Sequence, residues 1–309
     1  MRLSETELLC FQEEPLKALT ALWDGGRFPH ALLLEGSVGS GRKTLAMYAV
    51  ALLLCRGEHP PCGACLSCRK LVSGNHPDLT VLETQNKSKT LSVDQIRALR
   101  SDTFLAPHES ARRVFLIPEA HTMTAQAQNA LLKSLEEPPQ GIFFVMTTLS
   151  RGGLLETVRS RATVIAMREL TAVQLREVLA RLRPEIDGPR LTLVSESATT
   201  VGEALALLED GTTEQRMADA KRVLTLVAAR ERYDLMQLLS GYEKDREAFV
   251  SLLSAVKSAC ASQMRTMQGL GSLQCIQIVA IIEDTLIAAR QNVGLPLLSA
   301  VFAGRLTAL

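Results

Sequence analysis

PHALLLEGSVGSGRKTL, residues 29–45, decides how the rest of the chain is read. An apolar run from Ala31 to Leu34 leads into the glycine-rich stretch Gly36–Thr44, and a helical pattern begins near Leu45. Strand, glycine loop and helix in that order make a phosphate cradle, because backbone N–H groups at the helix start face an anion. The working pattern is GxxxxGK followed by Ser or Thr, with the Lys on the phosphates and the hydroxyl on Mg²⁺. Counted from Gly36, with Gly39 and Gly41 inside the loop, the Lys position holds Arg42 and the hydroxyl position holds Lys43. Moving by one residue restores Lys43-Thr44 but puts Ser37 and Arg42 where the two glycines belong. Either register breaks the site.

A second part of an ATP site is an apolar strand ending in acidic residues, an Asp for Mg²⁺ and a Glu to orient water. The matching stretch is RRVFLIPEAH, residues 112–121, where the Asp position holds Pro118 and only Glu119 is left. Proline has no side-chain ligand, so the metal loses a second support.

Four of the seven cysteines cluster as Cys55, Cys62, Cys65 and Cys68, while Cys10, Cys260 and Cys275 are scattered. In a reducing compartment such spacing reads as a metal site rather than disulfides. Four thiolates suit tetrahedral Zn²⁺ and leave no open position for a catalytic water, so a structural zinc is predicted. His59 and His76 lie nearby and are alternative ligands only if a cysteine is missing from the shell.

Short apolar runs alternate with helical patterns from Ala31 to Thr163. The predicted strands are Ala31–Leu34, Leu79–Leu82, Arg113–Ile117, Ile142–Thr147 and Thr163–Ala166. The predicted helices between them are Thr44–Cys55, Val93–Phe104, Ala125–Leu135 and Gly153–Arg159. That alternation implies βαβ units and a parallel sheet covered on both faces. From Thr171 onward helical periodicity dominates, punctuated at Asp187-Gly188-Pro189 and Asp210-Gly211. A net charge of +1 supplies no global pull on nucleic acid, and the basic residues of 97–113 lack the interleaved aromatics of a single-strand platform. No run of about 18 apolar residues is evident and the start, MRLSETELLC, lacks the form of a signal peptide. A cytoplasmic location with no membrane contact is therefore expected. Clustered carboxylates for paired catalytic metals are also missing.

Ala120-His121-Thr122-Met123-Thr124 followed by AQNALLKSLEEPP (127–139) resembles bacterial clamp-loader subunits of the AAA+ class. So do PHALLLEG (29–36), the cysteine cluster with GNHPDL (74–79), and VDQIRALR (93–100), over residues 25–210. The resemblance is to the γ/τ and δ′ subunits of DNA polymerase III. It implies an AAA+ fold of P-loop type with a zinc-binding insertion, at residues 1–167 with the zinc module at about 55–78. A small helical lid (168–211) and an all-α oligomerisation collar (212–309) would follow. Gly202, in Thr199-Thr200-Val201-Gly202-Glu203-Ala204, falls where ATPase members carry a sensor arginine, and glycine there is similar to δ′. Thr157-Val158-Arg159-Ser160-Arg161-Ala162 resembles the family's Ser-Arg-Cys motif with Ala162 in place of Cys. This implies that Arg161 acts in trans as a catalytic arginine finger on a neighbour's ATP.

The degenerate loop (Gly36, Gly39, Gly41, Arg42, Lys43, Thr44) and Glu119 then form a disused cofactor site in which no ATP is expected. The implied role is that of a non-hydrolysing subunit of the DNA polymerase III assembly, itself a nucleotidyltransferase. Its partners would be γ/τ- and δ-type subunits and, indirectly, the sliding clamp and primer–template DNA. The competing readings are an active γ/τ-like ATPase using Lys43-Thr44 or Arg42, and a sensor that binds ATP without turnover. Glu136-Glu137-Pro138-Pro139 reads as a helix end, and His121 as a structural hydrogen-bonder.

Overall fold

The computed structural model describes residues 9, 11–82, 90–209, 211, 213–266, 271–290 and 293–309; Cys10 and the first eight residues lie outside them. Five parallel strands form one sheet in the order β2-β3-β4-β1-β5. They are β1 Ala31–Glu35, β2 Leu79–Val81, β3 Arg113–Ile117, β4 Ile142–Thr148 and β5 Thr163–Ala166. Each is within a residue of its predicted range; β1, β3 and β4, buried on both faces, read as unbroken apolar runs, while the edge strands β2 and β5 are partly exposed. Inner strand β1 pairs Leu33 with Met146 of β4 and with Val164 of β5.

Alternate residues of each strand feed opposite faces. Leu32, Leu34, Val114, Leu116 and Val145 pack with α2 (Arg42–Leu54) and with α1 (Glu13–Asp24). Leu33, Phe115, Ile117, Phe144 and Met146 pack with α4 (Val93–Asp102) and α5 (Ala125–Glu136). Helix α4 opens on a full capping box, Ser92 with Gln95, which satisfies two otherwise orphaned N–H groups. Helix α1 precedes the first recognisable motif and has no counterpart in the sequence reading. Predicted helix Gly153–Arg159 is a 3₁₀ turn, Arg151–Gly153, followed by the short α6, Glu156–Arg159.

Two compact units emerge: residues 1–182 with Thr200–Gly202, and residues 183–199 with 203–309. Helix α7 (Ala172–Leu182) falls in the first. The second is helical: α8 (Gly188–Ser197), most of α9 (Val201–Glu209), α10 (Thr213–Ala229), α11 (Arg232–Ser240), α12 (Arg246–Thr266), α13 (Ser272–Arg290) and α14 (Leu295–Leu306). Its core gathers Val223, Phe249, Leu253, Val256, Ile278, Ile282 and Phe302. One correction to the sequence reading concerns α13. Ser272–Ala289 has a mean hydropathy of 1.5 and is long and apolar enough to cross a membrane by composition. In the fold one face of it joins the core of this unit, with Cys275, Ile278 and Ile282 buried, while Leu273, Ile276 and Ile287 are exposed and Glu283 and Asp284 pair with Lys257 and Arg305.

Candidate functional site: a phosphate loop closed on itself

Ligands of parallel sheets lie beyond the carboxyl ends of the strands, and the loop after β1 occupies that edge. Gly39 and Gly41 adopt φ of 77° and 89°, left-handed values that glycine takes without strain, and Gly41 caps α2. The loop therefore keeps the backbone of a phosphate cradle. Its contents differ. Arg42, in the lysine position, is only 4% exposed, and its Nη1 donates to the carbonyls of Gly36 at 2.7 Å and Ser37 at 2.6 Å. Burial holds the Arg42 pKa below its ordinary value, with Glu119 acting the other way. Lys43, in the hydroxyl position, turns its ammonium to Glu119 Oε1 at 3.4 Å, and Arg42 Nη2 lies 3.6 Å from the same oxygen.

Glu119 is itself unusual. Following Pro118 it adopts φ 51°, ψ 48°, and its N–H donates to Thr147 Oγ1 at 3.0 Å. The strand-end carboxylate thus faces the loop's own two cations. His121, two residues on, uses Nδ1 to accept the N–H of Leu149 at 3.3 Å, a structural bond. Burial lowers its pKa, opposed by Glu119.

The loop is also covered from a distant part of the chain. Thr200 Oγ1 donates to the Val38 carbonyl at 2.8 Å, and Gly202 N–H donates to the Gly39 carbonyl at 3.0 Å. A Cβ built on Gly202 would stand 2.5 Å from Gly39 Cα, closer than side-chain carbons ever come to backbone. A Cβ on Gly36 would meet Ser40 Oγ at 2.5 Å and Met167 Cβ at 2.8 Å. Thr200 was not singled out by the sequence, since nothing local marks a threonine for a carbonyl in another motif. Thr44 makes no side-chain bond to this network among the described residues.

Arg161 lies at the opposite edge, by the amino ends of the strands, in the turn between α6 and β5. Its Nη1 donates to Thr157 O at 2.9 Å and its Nη2 pairs with Glu136 Oε1 at 2.6 Å. Glu136 is the last residue of α5, so the predicted helix end at Glu136-Glu137 also supplies a carboxylate to the arginine.

The four clustered cysteines come together between the end of α2 and the start of α3 (Leu66–Val72). Their sulfurs all lie within 4.8 Å of one another, with Cys55–Cys65 at 3.9 Å and Cys62–Cys68 at 4.0 Å. A zinc–sulfur bond of about 2.3 Å sets tetrahedral ligands about 3.8 Å apart, so the set fits that ion. Backbone N–H groups of Gly57 and Cys62 point at Cys55 Sγ, that of Cys65 at Cys62, and that of Cys68 at Cys65. For Cys65, burial is outweighed by the N–H groups of Arg56 and Cys68, which bring the thiol down to about 6. Burial pushes Cys55 and Cys68 up; a bound dication reverses that and holds all four as thiolates. His76 is not among the ligands. Its Nε2 lies 2.7 Å from Ser67 Oγ, which donates to the Leu54 carbonyl at 2.6 Å, bracing the module from behind.

Residues 11–171 match the family described as DNA polymerase III, delta subunit. The chain belongs to the delta-prime family of DNA polymerase III subunits. A delta-prime subunit from Yersinia pestis is 30% identical to this family member over 83% of the chain and 76% of the relative. That of Pseudomonas aeruginosa is 37% identical over 63% of the chain, a match spanning 62% of the relative's length. In solved structures, a gamma subunit-related protein of Thermotoga maritima is similar over 93% of the chain and 99% of its own, with TM-score 0.50 and 16% identity. That likeness speaks for the fold alone.

Proposed function

We propose that this delta-prime family member is a non-hydrolysing clamp-loader subunit that supplies Arg161 in trans to a neighbouring ATPase subunit. The observation that carries the reading is Arg42. A buried guanidinium bonded to two carbonyls of its own loop occupies the seat where a lysine would meet phosphate, and Thr200–Gly202 covers that loop. Nucleotide entry would require breaking these bonds and leaving two carbonyls without donors. The exposed Lys43 is drawn to Glu119, and Pro118 offers nothing to Mg²⁺. Arg161 faces no such closure, since it sits on the surface with its guanidinium one-third exposed. An arginine delivered to a transferring phosphoryl group contributes on the order of 10³–10⁵ in rate in other systems.

In this reading residues 1–167 are an AAA+ body, 168–211 a lid and 212–309 a collar that joins γ/τ- and δ-type subunits. Cys55, Cys62, Cys65 and Cys68 hold a structural zinc. The assembly works in the cytoplasm, placing a sliding clamp on primed DNA. The test is Mg-ATP turnover by the chain alone and mixed with γ/τ- and δ-type subunits, as wild type and Arg161→Ala. Silence alone, with turnover in the mixture that collapses in Arg161→Ala, is the expected result. Turnover by the chain alone that survives Arg161→Ala and disappears in Lys43→Ala would identify an active ATPase and overturn the reading.

A further inference from the structure

Glu136 has no obvious reason to be where it is. It ends α5, and a carboxylate in the last turn of a helix opposes the negative end of the helix dipole. It is half-exposed, so it is not needed to satisfy a buried donor. Among the described residues its one partner is Arg161, with Nη2 to Oε1 at 2.6 Å, while Arg161 Nη1 is tied to the Thr157 carbonyl at 2.9 Å and Ser160 Oγ at 3.4 Å. The elements that carry the pair are packed together: Leu131 and Leu135 of α5 share one cluster with Val158 of α6 and Leu155 before it. A guanidinium has five N–H donors in a planar fork. Among the described residues, the bonds above use three of these and leave its Nε–H and one Nη2 N–H unused. The arginine is held by one edge and open at the other.

We propose that Glu136 is a positioning residue for Arg161. It draws the guanidinium against the end of α5 and selects the one rotamer in which the open edge is presented to the neighbouring subunit's phosphates. The inference rests on the in-trans role of Arg161 given above. An arginine free in solution samples many rotamers, and the entropy of ordering it is then paid at each encounter with ATP. A carboxylate that has already ordered it removes that cost from the reacting complex.

The experiment is steady-state ATP turnover by the full chain mixed with γ/τ- and δ-type subunits, using Glu136→Ala, Glu136→Asp, Arg161→Ala and the double variant. Glu136→Ala is expected to lower kcat on the order of tenfold with KM unchanged, since only the transition-state contact is loosened. Glu136→Asp recovers part of the loss. The double variant matches Arg161→Ala, because the carboxylate has nothing left to position. Unfolding followed by Trp23 fluorescence should be the same for Glu136→Ala and wild type, which separates positioning from folding. If Arg161→Ala collapses turnover while Glu136→Ala leaves it unchanged or raises it, the positioning role is overturned and the finger stands. A further drop on adding Glu136→Ala to Arg161→Ala overturns it as well. If Arg161→Ala itself has no effect, the underlying reading fails whatever Glu136 does.

Discussion

Replacing Arg42 by Ala tests whether the closed loop depends on its own guanidinium. The two bonds from Nη1, at 2.7 and 2.6 Å, are charge-assisted. Hydrogen bonds to charged groups contribute about 1.5–3 kcal/mol each, a gross loss of about 3–6 kcal/mol. Part of this is returned. Arg42 is 4% exposed and its Nε has no partner, so removing the side chain relieves about 1–3 kcal/mol of unsatisfied burial. The ion pair with Glu119 at 3.6 Å adds little, because that carboxylate is well exposed. The net expectation is a loss of about 2–3 kcal/mol, or a fall in midpoint of about 5–10 °C for a unit of this size. Trp23 makes a clean probe: it is the sole tryptophan, sits in α1 of the first unit, and carries Arg112 over its ring at 4.9 Å. Its fluorescence should report the early transition of Arg42→Ala, with Arg42→Lys intermediate because one ammonium replaces a fork poorly. A midpoint for Arg42→Ala within about 1 °C of wild type would refute the reasoning, since the carbonyls would then be shown not to need the donor.

The cysteine module should yield stoichiometric zinc by elemental analysis under reducing conditions, and Cys65→Ser should abolish it and speed amide exchange over residues 55–76; a zinc-free wild type would refute the assignment. Asp78 is fully buried and accepts N–H groups of His108, Glu109 and Ser110 at 2.5, 2.9 and 2.8 Å. Burial alone would raise its pKa, but these three donors outweigh it and hold the carboxyl below its ordinary value. Its stabilising contribution is therefore complete above the unfolded carboxylate pKa of about 3.9 and is lost as pH falls through the lower folded value. Asp78→Asn should cost about 1–3 kcal/mol at neutral pH and flatten the acid limb of stability against pH. An unchanged acid limb in that variant would mean other carboxylates carry it.

Much of the architecture was written locally. Strands β1, β3 and β4 are short apolar runs between turn residues, and a doubly covered strand leaves that mark wherever it occurs. Cysteines at spacings of seven, three and three residues can share one ion on chain geometry alone. The departures at Arg42, Lys43 and Pro118 needed only a count along the motif. The direction of each side chain did not follow from the count. An arginine at position 42 could as well reach outward for phosphate; it folds inward because two carbonyls are within reach and because Thr200, 162 residues beyond the Val38 carbonyl it bonds, seals the loop. Asp78 finds its three donors some thirty residues on, and Glu136 meets Arg161 only because α5 and α6 pack together. Helix α1 likewise takes its place from the sheet face it covers. Periodicity and turn chemistry act between near neighbours, so they determine elements. Which polar group answers which is a matter of packing across long separations, and only the tertiary structure decides it.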